Sequence, residues 1–183
     1  ATDQRWLFAL DAPGIAPEDA TLTTDFQLRA RDPVTTVRAY AAQSYPAHRM
    51  QTWLSPAERY LATTLGPPGN ARSRALAAEW RDGLRDPRAI ARAALALFNR
   101  DFIYSLEPPL LAADAIDDFL FTTRIGFCEH YASAFAFLMR AAGIPARVVV
   151  GFQGGYWNAS GRYLVVANAA AHAWTEIWIE GEG

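Results

Sequence analysis

The stretch Gly126-Phe127-Cys128-Glu129-His130-Tyr131-Ala132-Ser133-Ala134-Phe135-Ala136-Phe137-Leu138-Met139-Arg140-Ala141-Ala142-Gly143-Ile144-Pro145 decides the fold. From Tyr131 to Ala142 only Ser133 and Arg140 are polar. A helix that is apolar on nearly every side has to be buried, so this one is read as the central helix of the core. Gly143 ends it, and Pro145 prevents it from resuming. Arg147-Val148-Val149-Val150-Gly151-Phe152 follows as a strand, because β-branched residues suit a pleated, half-buried surface. A buried helix running into a strand points to an α+β domain.

Downstream the chain stays β. Gln153-Gly154-Gly155-Tyr156-Trp157-Asn158 reads as a glycine-rich loop, and Tyr163 to Val166 as a second strand. His172 to Ile179 alternates: Ala173, Thr175, Ile177 and Ile179 share one side, and His172, Trp174, Glu176 and Trp178 the other. Upstream, residues 54–100 read as packing helices. Ser55-Pro56-Ala57-Glu58 has the form of a capping box with proline at the first helical position. Asn70 is expected to cap a second helix ending near Leu84, and Asp86-Pro87 to open a third with Ile90, Ala94, Leu97 and Phe98 on one face. Asp101 to Leu106 is a short extended piece. Asp114 is expected to cap a helix carrying Ile116, Phe119 and Leu120. Residues 1–46 form a β annex with strands expected at Trp6–Leu10, Leu22–Leu28 and Val34–Tyr45, and residues 47–183 form the core domain.

Composition narrows the functions. Over 183 residues, 51% are apolar, enough for a proper core. The net charge of −2 provides no basic field for nucleic acid or anionic lipid. No apolar run approaches a membrane span, and no charged leader precedes an apolar segment. All 17 basic residues are arginine, so the domain has no side-chain amine of its own to serve as an acyl acceptor. The single cysteine excludes an internal disulfide.

A lone cysteine is either an inert buried thiol or a reactive one, and its setting decides. The thiolate is the nucleophile, and a helix N-terminus stabilises it with unpaired N–H groups and a partial positive charge. Gly126-Phe127-Cys128 at the head of a buried helix provides that setting, and the Cys128 N–H becomes a candidate oxyanion donor. A base must come from one of three histidines. His130 lies two residues on, and side chains at that spacing diverge. His48 sits in a linker. His172 opens a strand after Ala169-Ala170-Ala171, whose small side chains leave room for a substrate. A packed strand histidine is the competing reading of His172, and solvated first-turn positions are the reading of Glu129 and His130. Tyr156 and Trp157 are either surface aromatics or contacts for a substrate. Asn158-Ala159-Ser160 matches a glycosylation sequon but is discounted.

Gly126 to Ala132, then Leu138-Met139-Arg140-Ala141-Ala142-Gly143-Ile144-Pro145-Ala146-Arg147-Val148-Val149, then His172-Ala173-Trp174-Thr175-Glu176, resembles the transglutaminase-like core superfamily. The likeness covers roughly residues 100–183. Phe102 to Pro109 and Asp117 to Phe121 also resemble a bacterial branch, in which the domain is a periplasmic module of a multi-spanning inner-membrane protein. The resemblance implies a papain-like α+β core, with the Cys helix packed against an antiparallel sheet that bears the His. It implies attack by Cys128 on a glutamine or peptide carbonyl, with His172 as base and a thioester intermediate. Transfer to an amine then gives transamidation, and transfer to water gives deamidation or proteolysis. Tyr104 is the candidate second oxyanion donor, and Tyr156, Trp157 and Trp174 are candidate substrate contacts. No cofactor and no metal are expected. The expected partner is a protein or peptide substrate, not nucleic acid, and the domain is expected to be monomeric in a membrane-anchored parent.

The family's third catalytic residue is an acid on the strand after the His strand. Glu176 shares the face of His172, but four residues along a strand is roughly 13 Å, too far to orient the ring. Glu180 and Glu182 fall in the expected turn. The acid is therefore expected beyond Gly183, and this chain is expected to keep a reactive thiol with weak turnover. Two other functions compete. One is a catalytically dead domain that keeps its cleft as a peptide-binding scaffold. The other is a metal site built on Cys128, His130 and His172.

Overall fold

The structure is a computed structural model, and it describes residues 4–45 and 51–182. His48 and the expected 46/47 domain junction lie outside the described residues. The chain divides into two compact units, one through Thr52 and one from Trp53 to Glu182.

The first unit contains five short strands: β1 (Trp6–Leu7), β2 (Pro13–Ile15), β3 (Ala20–Leu22), β4 (Leu28–Ala30) and β5 (Gln43–Ser44). β4 lies between β1 and β3, antiparallel to both, and β2 pairs with β5. Leu7, Leu28 and Ala30 form its small core. Two expected strands give way here. Leu22 and Leu28 end two paired strands and residues 23–27 between them are a turn, because the Thr23 N–H donates to the Gln27 carbonyl (2.9 Å) and the Gln27 N–H to Thr23 Oγ1 (3.0 Å). Within Val34–Tyr45 only Gln43–Ser44 is in a ladder. Tyr40 is tied by its side chain instead: its hydroxyl accepts from the Phe8 N–H and donates to the Phe8 carbonyl, both at 2.6 Å.

The second unit opens with three helices, α1 (Pro56–Thr63), α2 (Ala71–Leu84) and α3 (Pro87–Asp101). Next come β6 (Ile103–Tyr104) and α4 (Ala115–Asp118), which runs into a π-helical turn, Phe119–Thr123. β7 (Ile125–Gly126) leads directly into α5 (Cys128–Ala141). The chain closes with β8 (Ala146–Phe152), β9 (Tyr156–Asn158), β10 (Tyr163–Val165) and β11 (Ala171–Ile177). α5 is the central helix. Its Ala134, Leu138 and Met139 are 0% exposed, among Ala77, Ile90, Ala94, Phe98, Phe119, Leu120 and Ala146. Arg140, polar within this apolar helix, is bonded: its Nε donates to the Ala146 carbonyl (2.9 Å), so the helix end is tied to the strand that follows. β8 and β11 pair antiparallel over seven rungs, from Ala146↔Ile177 to Phe152↔Ala171.

The helix caps mix agreement and surprise. α1 has its capping box, with the Glu58 N–H donating to Ser55 Oγ and the Ser55 N–H to the Glu58 carboxylate. Asn70 was expected to cap α2, but it adopts the left-handed conformation (φ 53°) and caps α4 instead. Its Oδ1 accepts the N–H groups of Ile116 (2.9 Å) and Asp117 (3.0 Å). Asp117 in return caps α2, accepting the N–H groups of Arg72 and Ser73 (2.9 and 2.8 Å) and the Ser73 hydroxyl (2.5 Å). Asp114 accepts the Asn70 N–H at 2.9 Å and makes no side-chain cap on α4. Each helix start thus receives its acceptor from the other.

Candidate active site

Cys128 is the first residue of α5. Phe127 precedes it in extended geometry (φ −121°, ψ −173°), so the chain turns sharply into the helix. Gly126 is buried at this corner. A Cβ there would stand 2.7 Å from the His130 side chain and 2.9 Å from the Phe119 ring, distances that carbon atoms do not tolerate. The Cys128 thiol is free and half-buried. Helix geometry leaves the N–H groups of Cys128 and Glu129 without an intrahelical acceptor, so they form a small field of donors beside the sulfur.

His130 is not the solvated residue that was expected. It is half-buried, with its ring 4.6 Å from that of Phe127 and 5.6 Å from that of Phe119. Its Nδ1 accepts the Phe127 N–H at 3.4 Å. The spacing could have signalled this, since an acceptor three residues after the cap position is one half of a capping box.

The strand of His172 is fixed to this helix at two points. Thr175 Oγ1 donates to the Ala132 carbonyl (2.7 Å), and the Trp178 N–H donates to the Pro145 carbonyl (2.9 Å). Ala132 lies near the start of α5 and Pro145 just past its end, so β11 and α5 run in the same direction. Their starts, His172 and Cys128, therefore share one end of the core. Thr175 was read only as one position in the alternation. As the hydroxyl on the side of β11 that meets α5, it is what joins the two elements.

His172 stands opposite Gly151. The missing side chain at Gly151 is filled by Trp174, whose Cη2 would lie 2.9 Å from a Cβ there. Trp174 is half-buried, and its Nε1 donates to Glu176 (3.3 Å). Glu176 in turn pairs with Arg147, its cross-strand neighbour, at 2.8 Å. This carboxylate is thus engaged by arginine and tryptophan.

Tyr104 comes to the same helix start. β6 lies parallel to β7 with Tyr104 beside Gly126, and the Ser105 N–H donates to the Gly126 carbonyl (2.8 Å). The Tyr104 ring is 57% exposed and stacks on Tyr131 with centroids 6.0 Å apart, one turn along α5 from Cys128. Burial, then the neighbouring Tyr104, pushes the Tyr131 hydroxyl pKa above its ordinary value. Tyr156 and Trp157, expected in a loop, belong to strand β9, because β9 pairs with β10 in register Tyr156↔Val165 and Trp157↔Leu164. Both are exposed. Gln153-Gly154-Gly155 joins this hairpin to the end of β8 that lies opposite Ala171 and His172. Among the described residues, no group of three His, Cys, Asp or Glu is placed to hold a metal ion, so Cys128, His130 and His172 do not form a ligand set. No helix among those residues is long and apolar enough to cross a membrane.

A thiol at the head of a buried helix, with a histidine strand laid along that helix, defines a papain-like class of α+β domain. The transglutaminase-like superfamily model matches residues 74–183, and the chain belongs to that family. It is 46% identical over all 183 residues to a Pseudomonas aeruginosa protein named protein-glutamine gamma-glutamyltransferase, of which it covers 27%. It is 40% identical over 94 residues to the uncharacterized protein YebA of Bacillus subtilis, covering 48% of this chain and 13% of that one. The chain thus spans about a quarter or less of these relatives. Two crystal structures of the periplasmic domain of TgpA from Pseudomonas aeruginosa, one bound to ethylmercury, superpose with a TM-score of 0.94 at 47% identity. They match 99% of this chain and 66% or 63% of theirs. The α+β fold implied by the motifs is the fold found.

Proposed function

We propose that the domain is a transglutaminase-type thiol acyltransferase that acts on glutamine side chains of proteins or peptides. One observation carries the reading: α5 and β11 are pinned in the same direction, which brings Cys128 at the helix head to the end of the core where His172 opens its strand. In this reading His172 takes the Cys128 proton. The thiolate attacks the glutamine carbonyl, and the oxyanion collects the Cys128 N–H and the Tyr104 hydroxyl. Ammonia leaves with the proton from His172, and a thioester remains. An amine then resolves it by transamidation, and water resolves it by deamidation. No lysine of this domain competes as acceptor. Strict alternation sends His172 to the face opposite Ala173 and Thr175, so the proposed pair requires the imidazole to turn toward Cys128 at the start of β11. Apo sites of this kind are often loose and tighten with substrate.

The named activity of the Pseudomonas relative supports this reading. Ethylmercury is a thiol-seeking reagent, and Cys128 is the single thiol of this chain with which such a reagent would react. The periplasmic domain of TgpA also supports a periplasmic place for this domain, within a membrane-anchored parent. Tyr156, Trp157 and Trp174 are proposed to contact the substrate as aromatic surface near the His172 end.

The test is the rate at which iodoacetamide alkylates Cys128 across pH, for the native domain and for His172→Asn. A His-paired thiolate keeps its rate down to a pH of about 6, and the variant loses about tenfold or more there. A native profile that follows an ordinary thiol of pKa near ~8.5 removes the reading.

A further inference from the structure

We propose that His130 is the positioning residue of the nucleophile: its Nδ1 holds the Phe127 N–H and so fixes the corner from which Cys128 is presented. This rests on the reading of Cys128 as the reactive thiol. Main chain and imidazole both hold this corner. The Phe127 N–H donates to Nδ1 at 3.4 Å, and the His130 main-chain N–H donates back to the Phe127 carbonyl at 2.9 Å. The Phe119 and Phe127 rings flank the imidazole, and Gly126 has no room for a side chain against it. The bond from Phe127 uses the lone pair of Nδ1, which assigns the ring hydrogen to Nε2.

The consequence for Cys128 is direct. Without the Nδ1 bond the Phe127 N–H loses its acceptor, and the corner rests on the bonds from the His130 and Tyr131 N–H groups to the Phe127 carbonyl. Clamped, the Phe127 N–H is satisfied, and the N–H groups of Cys128 and Glu129 remain free for a thiolate or an oxyanion. His130 therefore acts through Phe127 and touches no reacting atom.

The experiment compares the native domain with His130→Phe, which keeps an aromatic ring but loses the acceptor, and with His130→Asn, which keeps a short acceptor three residues after the cap. The readout is the pH profile of Cys128 alkylation by iodoacetamide, measured on proteins whose folded state is verified by circular dichroism. We expect His130→Phe to move the midpoint up by about one unit and to slow alkylation about tenfold at pH ~6, with His130→Asn recovering most of the loss. A folded His130→Phe with the native profile overturns the proposal, and so does His130→Asn behaving like His130→Phe. Should His130→Phe fail to fold, the native protein decides through ¹⁵N chemical shifts of the imidazole: an unprotonated Nδ1 upholds the clamp and a protonated Nδ1 refutes it. A native thiol with ordinary reactivity would sink the acyltransferase reading instead, while the nitrogen shifts still judge the clamp.

Discussion

At the heads of α2 and α4, N–H groups that a helix cannot satisfy internally are taken up by Asp117 and Asn70, each reaching across from the other helix. At the head of α5 the histidine clamp takes only the Phe127 N–H, and the donors beside the Cys128 sulfur are left open. Both are helix starts within the same unit. The closed pair spends its polar groups on joining two helices. The open one keeps them pointed at a thiol. Capping adds stability, typically about 1 kcal/mol per cap, whereas open donors contribute only when negative charge arrives. The difference separates helix starts that side chains close from one whose donors stay open beside a thiol.

Four changes would sharpen or break that contrast. Cys128→Ala should reduce acyl transfer from a glutamine peptide to background, a loss on the order of 10³-fold or more, with urea-measured stability within about 1 kcal/mol of native. A stability loss of about 3 kcal/mol instead would show an inert, packed thiol, and the open end would lose its meaning. Asp117→Ala should do the reverse. Removing three hydrogen bonds at one cap should cost about 2–3 kcal/mol in urea unfolding, and Cys128 alkylation should keep its native rate. A slowed thiol in that variant would mean that the two helix heads are coupled.

The third change is in pH. Burial pushes the Asp117 carboxyl up, but the Ser73 hydroxyl and the N–H groups of Arg72 and Ser73 outweigh it, and the net pKa lies below the ordinary value. The folded pKa is depressed, so the associated stability is present above the ordinary carboxylate range, about 4, and is lost as pH falls through the folded value. Asp117→Asn should flatten that part of the acid unfolding curve, below pH ~4. An unchanged acid slope would place the carboxylate outside the cap in solution. The smallest effect is expected at the ladder. Arg147 and Glu176 are a partly exposed pair, so Glu176→Gln should cost no more than about 1 kcal/mol and leave the thiol profile unmoved.

What was legible in the sequence was whatever depends on neighbours in the chain. The Ser55–Glu58 box, the buried helix after Cys128 and its Gly143 stop appear where the local pattern put them, and the strand expected over His172–Ile179 forms over Ala171–Ile177. The annex was less legible because its segments are short and weakly alternating. Thr23 and Gln27 turned an apparent strand into a hairpin turn, and side-chain bonds hold Tyr40. Strand β10 was expected, but its partner β9 was missed because glycines on both sides of Tyr156-Trp157-Asn158 made an exposed strand look like a loop.

The sequence by itself determined the class of the domain and the place of its one thiol at the head of the buried helix. Helix burial, chain punctuation and motif order are all written in consecutive residues. Only the tertiary structure decided which side chain closes which helix, because Asn70 and Asp117 exchange caps across 47 residues and no local rule carries that distance. It alone decided that β11 runs with α5, through a Thr175–Ala132 bond spanning 43 residues. It also turned His130 from a residue with no evident task into the clamp on Phe127. A side chain's partner is set by packing, and packing is a property of the folded chain as a whole.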